Sequence, residues 1–115
     1  MPVAMKVPSA TPAMGLAATV SDEGAVTVVA LRGEADCATL AVVVEALSDV
    51  IADRAGDIVV DLAETEFMDT AALRAVLTAR ASLDGSGRHL TLRSPSRSAG
   101  RLLAVFGLGH LAGPQ

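Results

Sequence analysis

Residues 57–83, DIVVDLAETEFMDTAALRAVLTARASL, decide how this chain is read. The run Asp57-Ile58-Val59-Val60-Asp61-Leu62 is apolar, β-branched and flanked by acids, which predicts a short buried strand. Leu73, Val76, Leu77 and Leu83 then recur at helical spacing, so a helix is predicted over about 71–83. Phe67-Met68-Asp69-Thr70 lies at the junction. Asp69 and Thr70 are both good N-cap types, because their side-chain oxygens accept from helix N–H groups that lack an intrahelical partner. A hydroxyl at this place has a second use. A phosphate on it would meet the positive end of the helix dipole and free backbone donors.

Towards the N-terminus, Ala25-Val26-Thr27-Val28-Val29-Ala30-Leu31 is the next clearest strand signal. A first edge strand is read at 16–20, and Ser21-Asp22-Glu23-Gly24 forms the turn between them, giving an antiparallel hairpin. After Arg32-Gly33-Glu34-Ala35-Asp36, either Asp36 or Thr39 can cap a helix. That helix carries the stripe Leu40, Val43, Val44, Leu47, Val50 and Ile51 and stops at Arg54-Ala55-Gly56. Towards the C-terminus, Asp84-Gly85-Ser86-Gly87 is a loop and 89–92 a fourth strand. Ser96 or Ser98 caps a last helix that runs through Phe106, with Leu102, Leu103 and Phe106 facing the core and Gly107 ending it.

The predicted order is β-β-α-β-α-β-α. Strands alternating with helices imply parallel neighbours joined by right-handed crossovers, with a hairpin at one end. The fold class is therefore α/β: one domain with a mixed sheet of four to five strands and about three to four helices. Residues 1–14 are rich in Pro, Ala and Ser and read as a flexible tail, 15–111 as the domain, and 112–115 as a short tail. The whole stretch from Gly109 reads as loosely held.

Composition narrows function. The chain has 115 residues, enough for one compact domain. It has no Trp or Tyr and two Phe, so stacking on nucleobases is nearly absent. The net charge of −4 and the lack of a basic run argue against a nucleic-acid partner. No apolar stretch is long enough to span a membrane, and the N-terminal residues have no continuous apolar segment of a secretion signal, so the expected location is cytoplasmic without membrane insertion. Cys37 stands alone and reads as a small apolar residue near a helix start; a redox-sensing thiol is the alternative. His89 and His110 have no metal-ligand neighbours at useful spacing, so no metal or cofactor is expected. No phosphate-binding glycine loop and no nucleophile elbow occurs. Asp61, Glu64 and Glu66 read as solvated acids, and the expectation is a protein that is not an enzyme.

Three segments resemble those of a known family. Phe67-Met68-Asp69-Thr70-Ala71-Ala72-Leu73 is similar to the phosphorylation-site segment of STAS-domain anti-sigma factor antagonists, F-[IM]-D-S-[ST]-G-L. Gly33-Glu34-Ala35-Asp36 resembles that family's G-E-[LI]-D. The run from Ser94-Pro95-Ser96 to Leu102-Leu103 and Gly107-Leu108 resembles its N-P-S-x-x-V-x-x-[LV]-L and T-G-L. Ala71 and Ala72 replace the family's second hydroxyl residue and its glycine, and the acceptor position carries Thr70 rather than the commoner serine.

The resemblance implies a STAS-like domain that binds a kinase-type anti-sigma factor and so frees a sigma factor, until phosphorylation at Thr70 abolishes binding. It implies partner contacts at Asp36, Thr39, Met68, Asp69, Thr70, Ala71 and Arg74, with Asp36 and Asp69 forming an acidic rim. A monomer or weak homodimer is expected. The alternative is a STAS subunit that is never phosphorylated, fixed in a larger assembly such as a lipid-transport or stress-signalling complex.

Overall fold

The computed structural model describes residues 15–112. The tail read at 1–14 lies outside the described residues, as do residues 113–115 of the tail read at 112–115. Five strands form one mixed sheet: β1 (Leu16–Glu23), β2 (Val26–Ala35), β3 (Asp57–Asp61), β4 (Thr65–Met68) and β5 (Leu90–Arg93). Three helices accompany them, α1 (Leu40–Asp53), α2 (Thr70–Asp84) and α3 (Arg97–Val105). The strands run in the order β1-β2-β3-β5, and β4 adds to β2 as well. Only the β1–β2 hairpin is antiparallel; β2–β3, β2–β4 and β3–β5 are all parallel.

The long strand β2 is the hub. Its residues Val26 to Ala30 pair with β3, and its last residues, Gly33 to Ala35, pair with β4. Within the β2–β4 pairing the register shifts between Gly33 and Glu34, where Glu66 of β4 is the extra residue. Thr27, Val28 and Val29 of β2 are buried in succession rather than alternately, so both faces of the sheet are covered there. α1 packs on β1 and β2, α2 on β5, and the two helices pack on each other; α3 packs on β4. Ile58, Val60, Leu31, Val76 and Leu103 fill the core between these layers.

The fold class matches the sequence reading, with differences at the edges of elements. β1 extends to Glu23, so the turn falls at Gly24 and Ala25. β4 adds a short strand to the predicted order. Cys37–Thr39 forms a 3-10 turn ahead of α1. Val44 and Phe106, read as core residues, are exposed. Val44 follows fully buried Val43 and points off the packed stripe, and Phe106 is the C-cap of α3, beyond its last turn. The segment after Gly107 is less loose than its composition implies: Gly109–Ala112 makes a 3-10 turn, and Leu108, Leu111 and Ala112 pack on the core.

One support was invisible in sequence. Arg88 donates to the carbonyls of Ile51 (3.2 Å), Arg54 (2.8 Å) and Gly56 (3.0 Å), and so caps the C-terminal end of α1 with a cation. An Arg88→Met variant keeps much of the stem and removes the donors. It is expected to lose about 2 kcal/mol of stability, because three carbonyls lose a charged partner. Urea unfolding followed by circular dichroism measures this; a loss below a few tenths of a kcal/mol would show that water replaces the guanidinium freely.

Candidate functional site

β2 and β4 lie side by side and parallel, so both strands end at the same edge of the sheet. The chain leaves them as Asp36 and Asp69, and each begins a helical segment there. Two helix N-termini thus open on one surface, at the carboxyl ends of parallel strands, where α/β folds place their sites.

The Asp36 carboxylate accepts from the N–H groups of Ala38 (3.0 Å) and Thr39 (3.2 Å). In return the Asp36 N–H donates to Thr39 Oγ1 (3.0 Å), which closes a capping box. Thr39 Oγ1 also donates to the Glu34 carbonyl at 2.8 Å. Asp69 does two tasks. Its Oδ1 accepts from Ala72 N–H (3.0 Å), the N-cap bond of α2, and its Oδ2 accepts from Cys37 N–H (3.1 Å) in the neighbouring turn. Its own N–H donates to the Ala35 carbonyl at 3.0 Å. Asp69 therefore ties both helix starts together.

Thr70 is the first residue of α2 and is exposed. Among the described residues its hydroxyl makes no hydrogen bond. The N–H groups of Thr70 and Ala71 stand at positions where no earlier helical turn supplies an acceptor. Arg74 lies one turn further along the same face and is also exposed. Ala71 and Arg74 form one end of an open apolar groove of about 560 Å³ between α1 and α2, walled by Leu40, Val44, Leu47 and Ile51.

The structure thus gathers Asp36, Asp69, Thr70, Ala71 and Arg74 at one surface. Two expected contact residues are not on it. Thr39 is 1% exposed and Met68 3%, so both support the surface from below. Thr39 is drawn in by its bonds to Glu34 and Asp36, and Met68 belongs to the hydrophobic core. The expected acidic rim is also qualified: both carboxylates are engaged by backbone N–H groups, so their charge faces helix termini as well as solvent. The α1–α2 groove was missed in sequence. Its signal was the small-residue series Ala71, Ala75 and Ala79, spaced four apart on one helix face.

A mixed sheet that is parallel apart from one hairpin, with helix starts brought together at Asp36 and Asp69, is compatible with a STAS-type domain. A profile of the STAS_2 family, described as Mlab, STAS domain, matches residues 18–113, and the chain belongs to that family. The fold is similar to a crystal structure of an anti-sigma factor antagonist from Mycobacterium paratuberculosis, with a TM-score of 0.77 at 24% identity over 85% of this chain and 83% of that one. It is similar to the anti-sigma factor antagonist SpoIIAA in its unphosphorylated form (TM-score 0.70, 19% identity, 84% of this chain and 85% of that one). The Bacillus cell fate determinant SpoIIAA in its phosphorylated form is also similar (TM-score 0.67, 20% identity, 84% and 88%). No curated protein sequence matches the chain. Among the described residues no helix is long and apolar enough to cross a membrane.

Proposed function

We propose that this chain is an anti-sigma factor antagonist of the cytoplasm, a binding protein rather than an enzyme, and that Thr70 is its switch. The observation that carries the reading is the exposed, unbonded Thr70 hydroxyl at the start of α2, held in place by the Asp69 clamp. A kinase-type anti-sigma factor would dock on Asp36, Asp69, Ala71 and Arg74 around that hydroxyl. Binding releases the sigma factor. Transfer of a phosphoryl group to Thr70 would add close to two negative charges at the centre of the contact. The start of α2 accommodates the phosphate through its dipole and free donors, so the fold persists while the partner is lost.

A second reading is a constitutive STAS subunit of a larger assembly, such as a lipid-transport complex. It is favoured by the Mlab description of the family and by Ala71 in place of a second hydroxyl residue.

Affinity purification from the native host, with intact mass on the same sample, separates the two. The switch requires a phosphorylated form mapping to Thr70 and an anti-sigma factor bound only to the unmodified protein. Thr70→Glu is expected to weaken that complex by roughly a hundredfold, about 2.7 kcal/mol of binding, with the melting temperature nearly unchanged. A stable partner, no phosphate under any growth condition, and no effect of Thr70→Ala would replace the switch with the constitutive subunit.

A further inference from the structure

The largest exposed apolar side chains are not spread evenly. Apart from Val44, those among the described residues are Phe67 (48% exposed), Val105 (72%) and Phe106 (50%), and all three belong to β4 or the end of α3. Between these elements runs an open groove of about 480 Å³, with Phe67, Leu102 and Val105 among its apolar walls. Arg97 and Arg101 line it from α3, and Glu66 is its single acid. Arg97, Arg101 and Val105 are spaced four apart, so they form one stripe along the helix.

Among the described residues, Arg97 and Arg101 of α3 and Arg74 and Arg80 of α2 are arginines that no acid pairs with. Arg32, Arg54 and Arg93 are each paired with acids, and Arg88 is held by carbonyls. Arg97 and Arg101 form no ion pair among the described residues, although the chain carries four more acidic than basic side chains. Unpaired guanidinium groups beside exposed apolar rings match a partner that supplies carboxylates and apolar side chains together.

We infer that the β4–α3 groove is a docking surface for an acidic, amphipathic segment of a protein partner. Apolar side chains of the segment enter between Phe67, Leu102 and Val105, and its carboxylates meet Arg97 and Arg101 at the rim. A concave floor suits a peptide better than a flat bilayer does. Residues 1–14 contain one lysine and no acid, so they lack the carboxylates that this occupant supplies. This surface shares no lining residue with the α1–α2 groove, and it stands whether or not Thr70 is a switch.

The test uses the full chain and a synthetic helical peptide with leucines on one face and glutamates flanking them. Amide NMR follows the titration. Saturable shifts are expected at Phe67, Arg101, Leu102 and Val105. The double variant Arg97→Glu, Arg101→Glu should weaken binding at least roughly tenfold, as should replacing the peptide's glutamates by lysines. Val105→Asp should remove binding, while Thr70→Glu should leave it within about twofold, which keeps this result separate from the switch. All substituted positions are exposed, so the fold survives. Four results would overturn the inference: no saturable shifts, equal binding of the lysine peptide, concentration-dependent self-association mapping to the groove, or Arg97- and Arg101-dependent binding to vesicles of phosphatidylcholine and phosphatidylglycerol in place of the peptide.

Discussion

Replacing Gly33 by alanine is expected to cost about 4 kcal/mol, enough to unfold much of a domain whose total stability is of order 5–15 kcal/mol. Two independent causes add. The backbone at Gly33 has φ of +114°, a region that a residue with a Cβ occupies only with strain. A Cβ there would also overlap the Gly15 carbonyl oxygen, a contact with backbone that no rotamer relieves. Gly33 pairs with Leu16 in β1 and with Thr65 in β4, so relief requires prising one strand from β2. A fall in melting temperature of roughly 20 °C is the corresponding signal. Gly24→Ala is the control. Its φ is +68° but its Cβ would meet nothing within 4 Å, so it should cost only about 1 kcal/mol. Equal losses in the two variants would remove the steric part of the argument.

Asp69→Ala is the second large effect, at about 3 kcal/mol. The N-cap bond to Ala72 accounts for about 1 kcal/mol of it. The bond from Cys37 N–H is the larger part, because a charged acceptor that holds a neighbouring segment is lost with it. The variant should therefore loosen two helix starts at once. Hydrogen exchange is the measurement: the amides of Cys37 and Ala72 should lose protection together in Asp69→Ala. Asp69→Asn keeps one accepting oxygen, so it should protect one of the two amides and cost less. If Cys37 is unaffected in Asp69→Ala, the two helix starts are not coupled, and partner binding has no reason to sense both.

Much of this arrangement was readable in the sequence. Ile58 to Val60 and the Leu73–Leu83 stripe announce β3 and α2 because each is long enough, or apolar enough, to show its period. β4 did not announce itself. Thr65-Glu66-Phe67-Met68 is four residues with an acid and an exposed ring, and only its pairing with the end of β2 makes it a strand. Phe106 and Val44 failed for the opposite reason: they are apolar and well spaced, yet each falls just outside a packed stripe. The candidate site was legible as a segment, from Asp69-Thr70 and Gly33-Glu34-Ala35-Asp36. What could not be read was which of those residues face out. Thr39 and Met68 are withdrawn by bonds and packing that depend on partners in other elements. The Asp69–Cys37 bond and the Arg88 cap join groups more than thirty residues apart through main-chain atoms, which carry no side-chain signature.

β2 accepts partners on both edges, and those partners emerge from the ribosome at different times. Its hairpin mate β1 precedes it, but the other edge must wait for residues 57–68. Until then Val26 to Leu31 present an unpaired, apolar strand edge, the kind that templates association between nascent chains. The hazard in making this protein therefore lies in a brief interval of synthesis and not in the finished fold, where β3 and β4 have closed that edge.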